Sequence, residues 1–367
     1  MIWSIHLKPQ EDELLSSWIV RLAIAHGIKV HTFCSLVFGS KKQIWNRDID
    51  RTTDKEVLET LSHKTATPFC QTQETLLSSY EGRLFESHNP YGNTPYIMPL
   101  GIYHRIHREK GLQFCPECLK ESPHYRKQWR LSCAVVCIKH QRLLNDCCPK
   151  CRAPVNFHRN ELGKKEIVYD RPPVYCYQCQ FDLRESNQIQ VDQKLIEKIL
   201  SFQKYFFDAT QKGWIEVNGQ GPIYSHLYAM GVSQISRLCS TSLRSSKLQF
   251  YLQYHFPVRK PNSVISPSKP TVESLDISDR AKTYYWTALL IEDWPTTFLK
   301  ICQETRTYSS ILFSDMKSIP YWYFKVVQEN LYILYAPWKK HWGLPNLNSY
   351  KNLSLSKIKK HHTSGFG

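Results

Sequence analysis

A mainly α-helical fold carrying two small metal-stapled modules is what this sequence predicts, on three observations. Apolar residues recur at helical spacing on both sides of the chain's middle, Pro and Gly punctuate those stretches, and the middle holds four Cys/His pairs, each with two residues between its members. At 367 residues and 42% apolar content the chain can bury two or three cores. No run approaches the ~20 apolar residues a membrane span needs.

Residues 11–27 have the pattern of an amphipathic helix. Glu11, Asp12 and Glu13 suit its positive N-terminal end, Leu15, Trp18, Leu22 and Ala25 fall on one face, and Gly27 supplies a left-handed stop. A second helix over Thr32–Phe38 ends at Gly39. The pair has the skeleton of a helix-turn-helix, although such pairs are more often plain packing elements. Helices are expected around Lys55–Leu61 and Thr72–Tyr80, then a proline-bearing loop over Asn89–Pro99. After the Cys-rich middle, periodicity returns from Asp192 through Phe207. A glycine-rich turn follows at Gly213–Gly221, then helical stretches to about Tyr254. Pro257, Pro261, Pro267 and Pro270, with Arg259, Lys260 and Lys269, mark a basic linker. Ser278 and Asp279 cap a helix that Trp294-Pro295 ends, Thr297–Glu304 forms another, and Ser318 and Pro320 open a third through Leu331. Three short helices after a basic linker suit a helical bundle, a winged helix or a helix-turn-helix, and the aromatic residues there suit a core.

The middle carries the chemistry. Cys115 pairs with Cys118, Cys137 with His140, Cys148 with Cys151, and Cys176 with Cys179. A gap of two lets one tight turn aim both side chains at a single tetrahedral ion. Between Cys118 and Cys137 lie 18 residues, and between Cys151 and Cys176 lie 24, too few to build a core without the ion. The spacing therefore predicts two structural Zn2+ ions per chain, one zinc-ribbon or zinc-finger module for each set of four. A disulfide framework is the competing reading of 13 cysteines. It fits poorly with an odd count and with residues 1–20, where Lys8, Pro9 and Glu11–Glu13 interrupt any secretory signal. Cys147 stands beside Cys148 and is a second candidate for its place. His107-Arg108-Glu109 ahead of Cys115-Pro116-Glu117-Cys118 is similar to the zinc deaminase signature. However, the histidine precedes the first cysteine by only eight residues, and Cys137 and His140 close the coordination sphere that a catalytic water would need open. No phosphate-cradling loop and no carboxylate cluster for two metals is present, so no enzyme is expected.

Lys and Arg exceed Asp and Glu by 48 to 32, a formal +16, and two zinc sites lower this only to about +13. That excess points to polyanions. Candidate nucleic-acid contacts are His104, Arg105, Arg108 and Lys110, with His107 among them, and the tail residues Lys357, Lys359 and Lys360. The expected organisation is an N-terminal helical region over 1–111, tandem zinc modules over 112–185, a helical region over 186–254, the linker over 255–270, a helical domain over 271–338 and a basic tail over 339–367.

Particular segments resemble the TniQ/TnsD family of transposition proteins. They are Glu11 through Trp18, Trp45-Asn46-Arg47-Asp48-Ile49-Asp50, Phe114 through Cys118, Tyr125 through Leu131, and the half-sites at Cys137, Cys148 and Cys176, with Glu292-Asp293-Trp294-Pro295 near the C-terminal helices. The similarity is firmest over residues 1–185 and loosest after 300. The resemblance implies a target-selection adaptor for transposon insertion. Such a protein rides on an RNA-guided CRISPR Cascade-type effector complex with its guide RNA, as shorter members do, or reads an attachment site in DNA directly, as longer ones do. It then recruits an AAA+ ATPase regulator. This chain is closer in length to the shorter kind, and a homodimer and a cytoplasmic, bacterial location are implied with it. A zinc-finger transcription regulator would share the zinc but have no ATPase partner. Arg21, Arg47 and Arg51 are the expected contacts to the ATPase, as exposed charges whose replacement leaves the fold intact, with Trp18 and Trp45 as core anchors beneath them.

Overall fold

The computed structural model describes residues 1–42, 44–160, 171–240, 245–258 and 271–331. The basic tail with Lys357, Lys359 and Lys360, and most of the Pro-rich linker, lie outside them. Twelve α-helices and three two-stranded antiparallel sheets form among the described residues. The fold is mainly α, and the two Cys/His groups lie within it. No single helix there is long and apolar enough to cross a membrane. The chain divides into two compact units. One holds Met1–Glu81, Ser87–Gln203 and Val272–Ala281; the other holds Gly82–Glu86, Lys204–Thr271 and Lys282–Gly367.

The first unit starts with α1 (Leu15–Ala25) and α2 (Val30–Phe38), followed by α3 (Lys55–Thr65) and α4 (Phe69–Glu74). Helix α1 begins four residues later than its acids suggest. Asp12 turns the chain with φ 57, and Glu13 folds back to accept from Ser17 Oγ and Arg21 Nη1, both at 2.8 Å. Those acids therefore serve tertiary contacts, not the helix dipole. The stop at Gly27 is as expected: it takes φ 65, and the Ile28 N–H reaches the Ala23 carbonyl at 3.0 Å. Helix α1 is buried on more than one face, including Ser16 and Ser17, because the segment at Tyr125 packs along its start. The Leu14 N–H donates to the Tyr125 carbonyl at 2.9 Å, and the Tyr125 N–H donates to Ser17 Oγ at 2.9 Å. The stretch expected as one helix over Thr72–Tyr80 is split. Pro68 sets the start of α4, and a separate 3-10 turn covers Leu77–Tyr80.

Two hairpins and a short helix complete this unit's framework. They are β1 (Ile102–Tyr103) with β2 (Ile106–His107), α5 (Pro116–Glu121), and β3 (Val136–Cys137) with β4 (Arg142–Leu143), after which α6 (Gln193–Lys212) begins. Arg130, fully buried, ties the framework together. Its Nη1 and Nη2 grip Asp48 at 3.1 and 2.6 Å, and Nε and Nη2 donate to the carbonyls of Gly111 and Met98 at 2.9 and 3.0 Å. Asp50 lies 3.5 Å from the same guanidinium and accepts from the Ser16 N–H and Oγ, each at 2.8 Å. Residues 272–281 return to this unit through Asp146, whose Oδ2 accepts the Ile277 N–H at 2.8 Å.

The second unit holds β5 (Trp214–Val217) paired with β6 (Gly221–Tyr224), then α7 (Ser225–Ser240), α8 (Ser246–His255), the latter part of α9 (Ile277–Ile291), α10 (Thr296–Glu304), α11 (Ser309–Leu312) and α12 (Tyr321–Leu331). Its aromatic residues form a core, as expected. Trp322 is buried against Trp294 and Tyr228, with ring centroids 4.8 and 5.3 Å away. Its ring lies so close to α7 that a Cβ added at Gly231 would clash with Trp322 Cζ2.

Candidate metal centres

Three of the four half-sites share one local device. In Cys137–His140, Cys148–Cys151 and Cys176–Cys179, the residue after the second ligand donates its N–H to the first ligand's carbonyl. The pairs are Gln141 to Cys137 at 2.8 Å, Arg152 to Cys148 at 2.9 Å and Gln180 to Cys176 at 2.9 Å. Gln141, Arg152 and Gln180 accordingly take φ of 48, 62 and 61. This tight turn brings two side chains spaced by two residues to one point. The remaining half-site uses a helix instead: Cys115 precedes α5, Pro116 occupies the first helical position, and Cys118 lies on the first turn.

Cys115, Cys118, Cys137 and His140 converge into one group and Cys148, Cys151, Cys176 and Cys179 into another, with ligand atoms within 4.8 Å of one another in each. In the first group, His140 Nδ1 lies 3.5, 3.3 and 3.5 Å from the sulfurs of Cys115, Cys118 and Cys137, and Cys118 Sγ lies 3.6 Å from Cys137 Sγ. In the second, Cys148 and Cys179 are 3.6 Å apart and Cys151 and Cys176 are 3.5 Å apart. A regular tetrahedron with metal–sulfur near 2.3 Å and metal–nitrogen near 2.0 Å has edges of about 3.8 Å between sulfurs and about 3.5 Å from sulfur to nitrogen. The spacings fit such an ion to within a few tenths of an ångström. The donors fit too, since sulfur-rich sets of four with at most one imidazole are structural-zinc chemistry. His140 is oriented through its other nitrogen, with Nε2 3.3 Å from Glu121 Oε1.

Cys147 is not part of either group. It is buried, and burial pushes its thiol up to about 12, while Cys148 turns into the second group. The deaminase-like combination does not assemble either, because His107 points elsewhere. Its Nδ1 meets the Val155 carbonyl at 2.8 Å and its N–H reaches Asn156 Oδ1 at 2.6 Å. Burial first, with Arg130 adding to it, holds the His107 pKa down at about 4. His107 is therefore neutral and buried, which corrects its place among the expected cations.

His104, Arg105 and Arg108 are exposed on and beside the β1–β2 hairpin, whereas Lys110 is half-buried with Nζ 3.9 Å from Asp146. Trp18 and Trp45 are buried. Of the three arginines above them only Arg47 is exposed, its guanidinium 5.7 Å from the Tyr91 ring. Arg51 Nη2 donates to the Asn89 carbonyl at 2.7 Å and to the Gly92 carbonyl, and Arg21 is committed to buried Glu13. Replacing Arg21 with glutamate would set two carboxylates face to face, so the expectation that it can be changed without cost to the fold is corrected. Sequence reasoning missed Asp48, Asp50 and Arg130 as a unit, although all three lie in the segments that carry the resemblance.

The TniQ family model matches residues 4–144. Those residues thus carry a TniQ domain. No curated protein matches it. The matched TniQ domain ends four residues after His140, so it contains the Cys₃His group, while the Cys₄ group lies beyond it. It also contains both partners of the Asp48–Arg130 pair. A TniQ domain supports a general role in target selection for transposition.

Proposed function

We propose that this TniQ protein is a target-selection adaptor that links an RNA-guided CRISPR Cascade-type effector complex and its guide RNA to an AAA+ ATPase transposition regulator. The match over residues 4–144 carries this reading. Each Cys/His group supplies a full set of four donors, which suits two structural zinc ions that stiffen presenting surfaces and leaves no open position for a reactive water. Cys115, Cys118, Cys137 and His140 would hold one ion, and Cys148, Cys151, Cys176 and Cys179 the other. Arg47 is the strongest of the candidate ATPase contacts, because its charge is outward and paired with an aromatic ring. Arg105 and Arg108, with Lys357, Lys359 and Lys360 of the tail, would give salt-sensitive, sequence-blind contact to nucleic acid.

A reconstituted recruitment assay tests the adaptor reading. With effector complex, guide RNA and target DNA present, the ATPase should collect at the target only when this chain is added, and Arg47→Glu should abolish recruitment while zinc content holds. Tight binding of the isolated chain to one short duplex would favour direct attachment-site reading instead. One feature favours that second reading: α1 and α2 meet at 99°, within the range of a helix-turn-helix.

A further inference from the structure

The tip of the β1–β2 hairpin is built from the wrong residues for its shape. Tyr103 pairs with Ile106, leaving a two-residue turn at His104 and Arg105 with φ of 47 and 64. A two-residue turn with both central φ values positive is a site for Asn-Gly or Gly-Gly, because a Cβ crowds the backbone there. Here two side chains with basic groups occupy it, and a buried histidine and a half-buried arginine hold it in place. His158 Nε2 donates to the Arg105 carbonyl at 2.9 Å, and Arg159 Nη1 lies 3.4 Å from the carbonyls of both His104 and Arg105. His158 is itself fixed by stacking on buried Trp45, centroids 4.5 Å apart and planes 1° from parallel. Strain that the surroundings sustain at an exposed position marks a place where side-chain identity matters more than turn stability.

What the turn displays is a basic and aromatic cluster. Tyr103 is exposed, the Arg108 guanidinium lies 4.0 Å over its ring, and the His104 ring meets it at 4.1 Å. Arg105 is oriented by its inner nitrogen, with Nε donating to Asn46 Oδ1 at 3.1 Å. Both guanidiniums are thus held in place at little further entropic cost on binding. Glu109 is the one carboxylate in the stretch from His104 to Lys110, and its side chain lies back against Gly101.

We infer that this strained hairpin tip is a preformed grip on the phosphodiester backbone of nucleic acid, with Arg105 and Arg108 meeting phosphates and His158 and Arg159 acting as positioning residues beneath. The inference deepens the nucleic-acid contact proposed above and rests on that reading.

The decisive variant is His104→Asn with Arg105→Gly in the full-length, zinc-loaded chain. It installs the residues the turn prefers while removing the tip's basic side chains, so stability and binding should move in opposite directions. The melting temperature should rise by about 2 °C or more. Affinity for a random-sequence DNA duplex should fall by about three- to tenfold, and the slope of log affinity against log salt should drop by about one. Arg108→Ala should lower the slope by a further unit, and Arg108→Lys should restore it. A parallel arm with single-stranded RNA of equal length separates the sources. Loss in both arms supports backbone recognition as stated, and loss in one alone narrows the grip to that polymer. If the unaltered chain binds neither polymer at low salt, the underlying nucleic-acid reading fails. If it binds and the double variant binds with unchanged slope, the hairpin inference is overturned and the contact lies elsewhere. A fall in melting temperature would overturn the claim that the native turn is strained.

Discussion

Arg130→Met tests how the TniQ domain is held together. The guanidinium compensates two carboxylates, half-buried Asp48 and buried Asp50, and satisfies the carbonyls of Gly111 and Met98. Removing one partner of a buried ion pair costs about 3–5 kcal/mol, because the charge left behind has neither water nor a counter-ion. Burial alone pushes Asp48 up, but Arg130 outweighs it and holds that carboxyl below its ordinary value. Asp50 is pushed by burial, and by the charge of Asp48, up to about 6. Its folded pKa exceeds its unfolded one, so its stabilising contribution is complete below about pH 4 and is lost as pH rises through about 6. Without Arg130 both carboxyls should move up. The variant's deficit should therefore be largest at pH 7 and shrink on acidification, as the stranded carboxylates take up protons. Hydrogen exchange reads this unit separately from the other. The Ser16 and Gln113 amides, bonded to Asp50 and to the Trp129 carbonyl, should lose protection by about a thousandfold at pH 7, which corresponds to about 4 kcal/mol. A loss below tenfold, or one equal at pH 5 and pH 7, would refute the reasoning.

Metal analysis should find two zinc ions per folded chain. Cys118→Ser or Cys151→Ser should disorder its module, whereas Cys147→Ser should leave both ions bound; one ion in the unaltered protein would refute the four-plus-four assignment. Arg152→Gly relieves a left-handed φ of 62 in a ligand turn and should stabilise the second module by about 0.5–1 kcal/mol, read as slower zinc transfer to a chelator. Faster transfer would show that the side chain itself holds the turn. Gly231→Ala, ordinarily favourable inside a helix, should instead destabilise the second unit by about 1–3 kcal/mol in thermal unfolding, since the new Cβ has nowhere to go beside Trp322. An unchanged or raised transition would mean that the ring can shift at no cost.

The sequence by itself determined the members of both Cys/His groups, because a two-residue gap is a local constraint that one tight turn satisfies whatever surrounds it. It likewise determined the helical stretches on both sides and the stop at Gly27, which depend on spacing and on backbone freedom over a few residues. Only the tertiary structure decided which charges are spent internally. Glu13 and Arg21 have the pattern of a solvated helix start, and they form an ion pair whose acid is buried. Asp48 and Arg130 lie 82 residues apart and nothing in their local sequence pairs them, yet they hold the domain's centre. His107, charged in the sequence's pattern, is neutral because burial, with the Arg130 charge adding to it, disfavours its cation. Two-residue turns at His104–Arg105 and ligand turns ending in Gln141, Arg152 and Gln180 carry none of the Gly or Asn that announces a left-handed backbone. Their shape is imposed by hydrogen bonds to ligand carbonyls and buried side chains, and local propensity cannot reveal a conformation that distant contacts enforce against it.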